Sequence, residues 1–192
     1  MSKFFNLIFY RNKHVCPRWL CFSFDNFIRR LFQKPEQILK PYLKDGDTVL
    51  DVGPGIGFFT ISMARIVGKN GRVIAADLQG KMLAAIKKRA EHAGVQKIID
   101  LHLCSSNSLG VNTEVDFILA FWMVHEVPDK QRFLTELYSL LKDGGSFLLA
   151  EPCLHVTKNN FEETICLAKL AGFIVSRNPR ISFSRCVLLS KT

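Results

Sequence analysis

The 192-residue chain contains no run of about 18 uninterrupted apolar residues, the length a helix needs to cross a bilayer, so no transmembrane segment is expected. Its early apolar stretch, residues 4–10, is short, lies between Lys3 and Arg11, and precedes no small-residue cleavage pattern, which argues against a secretory leader. There is no C-x-x-C pair. The six cysteines (Cys16, Cys21, Cys104, Cys153, Cys166, Cys186) are scattered, which fits reduced thiols and a cytoplasmic setting better than a disulfide framework. No internal repeat or low-complexity linker divides the chain, and its length is that of one domain.

Acidic residues are scarce at the start. Residues 1–44 hold nine Lys and Arg against Asp25 and Glu36, a net of +7, while the rest holds 17 against 15, a net of +2. The same 44 residues carry ten of the 21 aromatics. The reading is a basic aromatic arm over residues 1–35 and a near-neutral domain over 36–192. Basic and aromatic together suit a membrane surface, an anionic or apolar small molecule, or nucleic acid; a packing arm whose charges stay in water is the plainer alternative.

The most informative stretch is residues 48–60. An apolar strand, Thr48 to Val52, runs into Gly53, Gly55 and Gly57, and these feed an apolar helical segment, about Gly57 to Val67. That is the opening of a nucleotide-binding βαβ unit, where glycine lets the backbone turn sharply and approach a ligand. A dinucleotide loop reads G-x-G-x-x-G. Here the pattern is G-x-G-x-G, and Phe58 stands where the last glycine would be. Asp51 just ahead of the loop would repel a pyrophosphate and suit a cation.

An acid followed by G-x-G-x-G resembles motif I of the class I S-adenosylmethionine-dependent methyltransferases. That cofactor carries an ammonium and a sulfonium and no phosphate. The resemblance covers about residues 36–190 and implies an α/β fold: a Rossmann-like, doubly wound, seven-stranded, mostly parallel sheet ending in an antiparallel hairpin. The pattern agrees. Strands are expected at Arg72–Ala76, Ile98–Cys104, Val115–Phe121, Ser146–Ala150, Phe173–Val175 and Phe183–Leu189. Helices are expected at Lys81–Ala93, Pro128–Leu141 and Asn160–Ala171, with a turn at Asp143-Gly144-Gly145.

On that resemblance Asp51, Gly53, Gly55 and Gly57 would hold the cofactor. Asp77, at the end of the second strand, would accept hydrogen bonds from both ribose hydroxyls. Leu78 and Met82 would touch the adenine. Many relatives carry an acid after the third strand, to meet the adenine amino group; here the segment is Cys104-Ser105-Ser106-Asn107, and Asn107 with neighbouring Ser106 takes that place. Phe121, and Trp122 beside it, would face the sulfonium.

The family's enzymes that methylate base amino groups often show an Asn/Asp-Pro-Pro-aromatic tetrad after the fourth strand. This chain reads Phe121-Trp122-Met123-Val124-His125-Glu126 instead and resembles the small-molecule enzymes. The expected reaction is methyl transfer to a small-molecule acceptor, with His125 as the candidate base and Glu126 orienting or replacing it. Capping of a loop and a helix start is the alternative for that pair. No metal is expected: His14, Cys16 and Cys21, with Cys153 and His155, match no zinc spacing.

Other readings stay open. A non-catalytic module that holds S-adenosylmethionine or a partner at a membrane or RNA surface would explain the +7 arm. Metalloid or RNA methylation and a nicotinamide-dependent oxidoreductase are less favoured, the last because of the early third glycine and Asp51.

Overall fold

The computed structural model describes residues 32–192. The expected arm, residues 1–35, lies outside the described residues apart from 32–35.

Four near-continuous apolar runs make the parallel part of the sheet: β1 (Thr48–Val52), β2 (Arg72–Asp77), β4 (Val115–Phe121) and β5 (Leu141–Pro152), with β3 (Ile99–Leu103) at one edge. Strands covered on both faces must be apolar on both faces, and that is why these runs do not alternate with polar residues. The antiparallel β7 (Ser184–Ser190) lies against β5, and β6 (Ile174–Arg177) pairs with β7 alone. The seven-stranded order is β3-β2-β1-β4-β5-β7-β6.

Neighbouring residues on each strand enter opposite cores. On one face α1 (Pro35–Leu39), α2 (Thr60–Val67) and α3 (Gly80–Ala93) cover Val49, Val73, Phe117 and Leu148. On the other, α4 (Lys130–Leu140) and α5 (Lys158–Leu170) cover Leu50, Ile74, Ile118 and Phe147. The sheet is therefore doubly wound, as expected. Two of these helices, α4 and α5, start on side-chain caps: Asp129 accepts from the Arg132 amide, and Thr157 from the Asn160 amide.

Two expectations shift. The first core helix starts at Thr60, not near Gly57, because Gly57 has φ of +87° and no helix passes through that conformation. The turn at Asp143-Gly144-Gly145 sits within the bounds of β5. Val115 pairs with Leu141 and Phe117 with Ser146, so the turn is looped out of the ladder, with the Gly144 amide held by the Lys191 carbonyl at 2.9 Å.

The chain leaves β1 toward β2 and β3, and leaves β4 toward β5. The strand order thus reverses between β1 and β4, and a crevice opens beyond their carboxyl ends, at Val52 and Phe121.

Candidate active site

The glycine loop forms one wall of this crevice. The Gly53 amide donates to the Ala76 carbonyl at 2.9 Å, and the Gly57 amide to the Pro54 carbonyl at 3.0 Å. All three glycines have positive φ, which disfavours a side chain at each, and they differ in the space around them. A Cβ on Gly53 would sit 3.0 Å from Met123, and one on Gly57 would sit 3.1 Å from Ile86. At Gly55 nothing lies within 4 Å. Packing adds to the backbone constraint at the first and the last; Gly55 leaves an open cradle.

Two carboxylates sit beneath the loop. Asp51 is buried, and the Thr60 hydroxyl at the start of α2 donates to it at 2.6 Å. Burial pushes its carboxyl up to about 7; the Thr60 bond opposes this, and the charge of Asp77 adds to it. Asp77 is also raised, by burial first, with the Gln79 amide (2.8 Å) and the amides of Gly55 and Leu78 pulling the other way. Leu78 beside it is half-exposed. Met82 is 1% exposed, so packing leaves it almost no surface for a ligand. Ser106 and Asn107 are exposed on the turn beyond β3, which closes through the Ser105–Ser108 bridge.

The β4 end is strained. Trp122 has φ of +62°, uncommon for a bulky side chain and worth about 1–3 kcal/mol of strain. Its amide donates to the Ala150 carbonyl at 2.7 Å and its indole N–H to the Ser184 hydroxyl at 2.9 Å. Phe121 is buried, its ring 4.4 Å from that of Phe59 and 5.4 Å from that of Trp122.

The backbone reversal at Trp122 is followed by a short 3-10 turn, Val124–Glu126, which presents His125. Its amide and its Nδ1 both bond Glu151, at 2.8 and 2.7 Å. Glu151 ends the apolar run of β5 and is 1% exposed. Glu126, the expected partner, faces Nε2 at 4.0 Å, and the hydrogen-bonded partner at Nδ1 is Glu151. In the neutral ring, an Nδ1–H given to Glu151 leaves the lone pair at Nε2, the nitrogen that Glu126 faces. Burial alone would lower the imidazole's pKa, but the Glu151 bond and charge, with Glu126 adding, leave it raised above the ordinary histidine value. The ring of His155 stands edge-on at 4.9 Å. Glu151 was missed in the sequence, although an acid closing an otherwise apolar strand at the crevice end was the available signal. His14, Cys16 and Cys21 lie outside the described residues.

An open cradle at Gly55 over two buried carboxylates fits a cationic nucleoside ligand. A methyltransferase domain model matches residues 43–178, most of the chain. The chain belongs to the class I S-adenosylmethionine-dependent methyltransferases. Within this family it is 30% identical, over 110 residues, to the ubiquinone/menaquinone biosynthesis C-methyltransferase of Klebsiella pneumoniae, covering 57% of this chain and 44% of that one. The Haemophilus ducreyi protein of the same name is 29% identical over 140 residues, 70% of this chain and 54% of that one. The chain thus spans about half the length of these curated relatives. Among solved structures, an S-adenosylmethionine-dependent methyltransferase from Aquifex aeolicus is 25% identical with a TM-score of 0.78, covering 91% of this chain and 97% of that one. An O-methyltransferase from Thermotoga maritima, at 21% identity and TM-score 0.65 over 82% and 63% of the two chains, shares the fold.

Proposed function

We propose that this chain transfers a methyl group from S-adenosylmethionine to a small apolar acceptor, and that His125 takes the acceptor's proton. The observation that carries this is the His125 Nδ1–Glu151 bond of 2.7 Å at the crevice end of β4 and β5. Glu151 fixes the ring and its tautomer, and Nε2 is the base. Bound S-adenosylmethionine would supply an electrophilic methyl on a cationic sulfonium. Asp51, buried beneath the loop, would act on the cationic methionine end through its charge, Asp77 would meet the ribose hydroxyls, and Gly53, Gly55 and Gly57 would let the backbone close on the ligand. Leu78, Ser106 and Asn107 would line the adenine end. Methyl transfer to the acceptor's nucleophilic atom would leave S-adenosylhomocysteine as the other product, and Nε2 would take the acceptor's proton.

The apolar acceptor is supported by exposed Leu154 and Phe183 on the segments that follow β5 and precede β7, and by Phe32, whose ring meets that of Phe183 at 5.6 Å. It is supported also by relatives whose names place them in quinone biosynthesis. A domain boundary near residue 35, a cytoplasmic setting and contact of the basic arm with a membrane surface belong to the same reading. Among the described residues no helix is long and apolar enough to cross a membrane.

Calorimetric titration with S-adenosylmethionine, S-adenosylhomocysteine and NADH tests the cofactor site, with Asp51→Ala and Asp77→Ala alongside. Micromolar binding of the two adenosyl ligands, lost in both variants, is expected; binding of NADH alone overturns the reading. Methyl transfer to a short-chain benzoquinol or naphthoquinol then tests the acceptor class.

A further inference from the structure

The segment that leaves β3 for β4 is held from outside itself. Glu136, half-buried on α4, turns one carboxylate oxygen to three of its donors. Oε1 accepts from the Ser108 hydroxyl at 2.7 Å, the Leu109 amide at 2.8 Å and the Gly110 amide at 3.2 Å. Bonds to a carboxylate are charge-assisted and stronger than those between neutral groups. Leu109 is buried in the core that α4 covers, and its carbonyl meets His102 Nε2 at 2.7 Å.

The near end of the segment is tied to the crevice. The Cys104 amide donates to the Asp77 carbonyl at 2.9 Å, and Ser105 Oγ accepts from the Ser108 amide at 3.1 Å. Asp77 and Glu136 both act on Cys104: burial first, then the charges of these two acids, push its thiol up to about 12. Between the two ties, Ser106 and Asn107 are exposed, and among the described residues neither side chain has a hydrogen-bond partner. Burial of Leu109 accounts for part of the anchoring. It does not account for a tip whose polar side chains are left without partners while its base is held in register with Asp77.

We infer that Glu136 is a positioning residue for the nucleobase of the cofactor. It holds residues 104–110 so that the Asn107 side-chain oxygen is in place to accept from the adenine amino group. Glu136 acts through Asn107 and does not itself touch the ligand. Ordering the turn before the cofactor arrives removes that ordering cost from binding. The inference rests on Asn107 lining the adenine end, as proposed for the cofactor site.

The test is calorimetry of the full chain with S-adenosylhomocysteine and with its purine analogue, in which hydrogen replaces the 6-amino group. The wild type is expected to bind the adenine form about tenfold more tightly, the worth of one hydrogen bond. Asn107→Ala should bring that ratio to about one, and so should Glu136→Ala. In the double variant the ratio should fall no further, since both substitutions remove the same contact. Glu136→Gln keeps an oxygen for the three donors and should keep most of the preference. A general loss of stability in Glu136→Ala would weaken both ligands alike and leave the ratio unmoved, so the ratio separates positioning from folding. Ser108→Ala, an exposed change that removes one donor to Glu136, should cut the preference about threefold and stands in if Glu136→Ala does not fold. A preference that survives in Glu136→Ala, or in Ser108→Ala in its place, yet is lost in Asn107→Ala overturns the inference and leaves the adenine contact standing. A wild type without the preference, or an Asn107→Ala that keeps it, overturns both.

Discussion

Asp51 is a carboxyl taken wholly out of water with one hydroxyl as its side-chain partner, and its pKa is pushed up to about 7. The value lies above the 3.8 of an ordinary aspartate, so the folded chain holds an extra proton between the two values. Stability from this group is complete below pH 3.8 and is lost as pH rises through about 7. Asp51→Asn keeps an acceptor for Thr60 and removes the buried charge. It should therefore stabilise the ligand-free chain by about 1–4 kcal/mol at pH 8.5 and by much less at pH 5. Thermal unfolding at the two values checks this, and an equal change at both would refute it. Cofactor affinity should move the opposite way, since a cation favours the ionised form: below pH 7, each unit of pH should strengthen binding up to tenfold. At His125 the sign differs. The base works when neutral, so kcat/KM should climb with pH through a value above 6.5. Glu151→Gln removes the charge that raises the imidazole and leaves the burial that lowers it. The acid limb should then move to lower pH as kcat falls; an unmoved limb would make Glu151 only a packing group. His125→Ala should cost about 10²–10⁴-fold in kcat. His125 and Asp51 were legible in sequence because each flanks a recognisable strand end. Glu151 was not, since 26 residues separate it from His125 and only the parallel pairing of β4 with β5 brings them together.

Among the elements, the glycine loop offers the cleanest contrast. Gly55→Ala adds a methyl in open space, so its cost to folding is the φ penalty alone, about 1–2 kcal/mol. Gly53→Ala adds to the same penalty a contact 3.0 Å from Met123, roughly 1–3 kcal/mol more. Gly55→Ala should thus fold and lose cofactor binding at least tenfold, while Gly53→Ala should fail first in stability. Chemical denaturation and calorimetry on both variants separate the two effects, and unchanged cofactor binding in Gly55→Ala would remove the loop from the site. The strands were readable because burial on both faces leaves an uninterrupted apolar run. The start of α2 and the loop-out in β5 were not, because both depend on backbone dihedrals at glycine that composition does not encode.

At the scale of the whole molecule, the sheet separates two cores. Met63 in α2 and Leu134 in α4 are each fully buried, on opposite sides. Each truncation to Ala should cost about 2–5 kcal/mol, and the double variant should cost their sum within about 0.5 kcal/mol, because no side chain is shared. Urea unfolding measures all three; a large coupling would mean that the sheet deforms as one body. The strand order carries a different consequence, for synthesis. β7, the last of the seven strands in chain order, lies between β5 and β6, and β6 has no other neighbour. On the ribosome, β5 must wait with a bare edge and β6 without any partner until residue 190 has left the exit tunnel. At translation speeds of about 5–20 residues per second, that exposure lasts for seconds, and it marks the nascent chain as one that chaperones would need to shield.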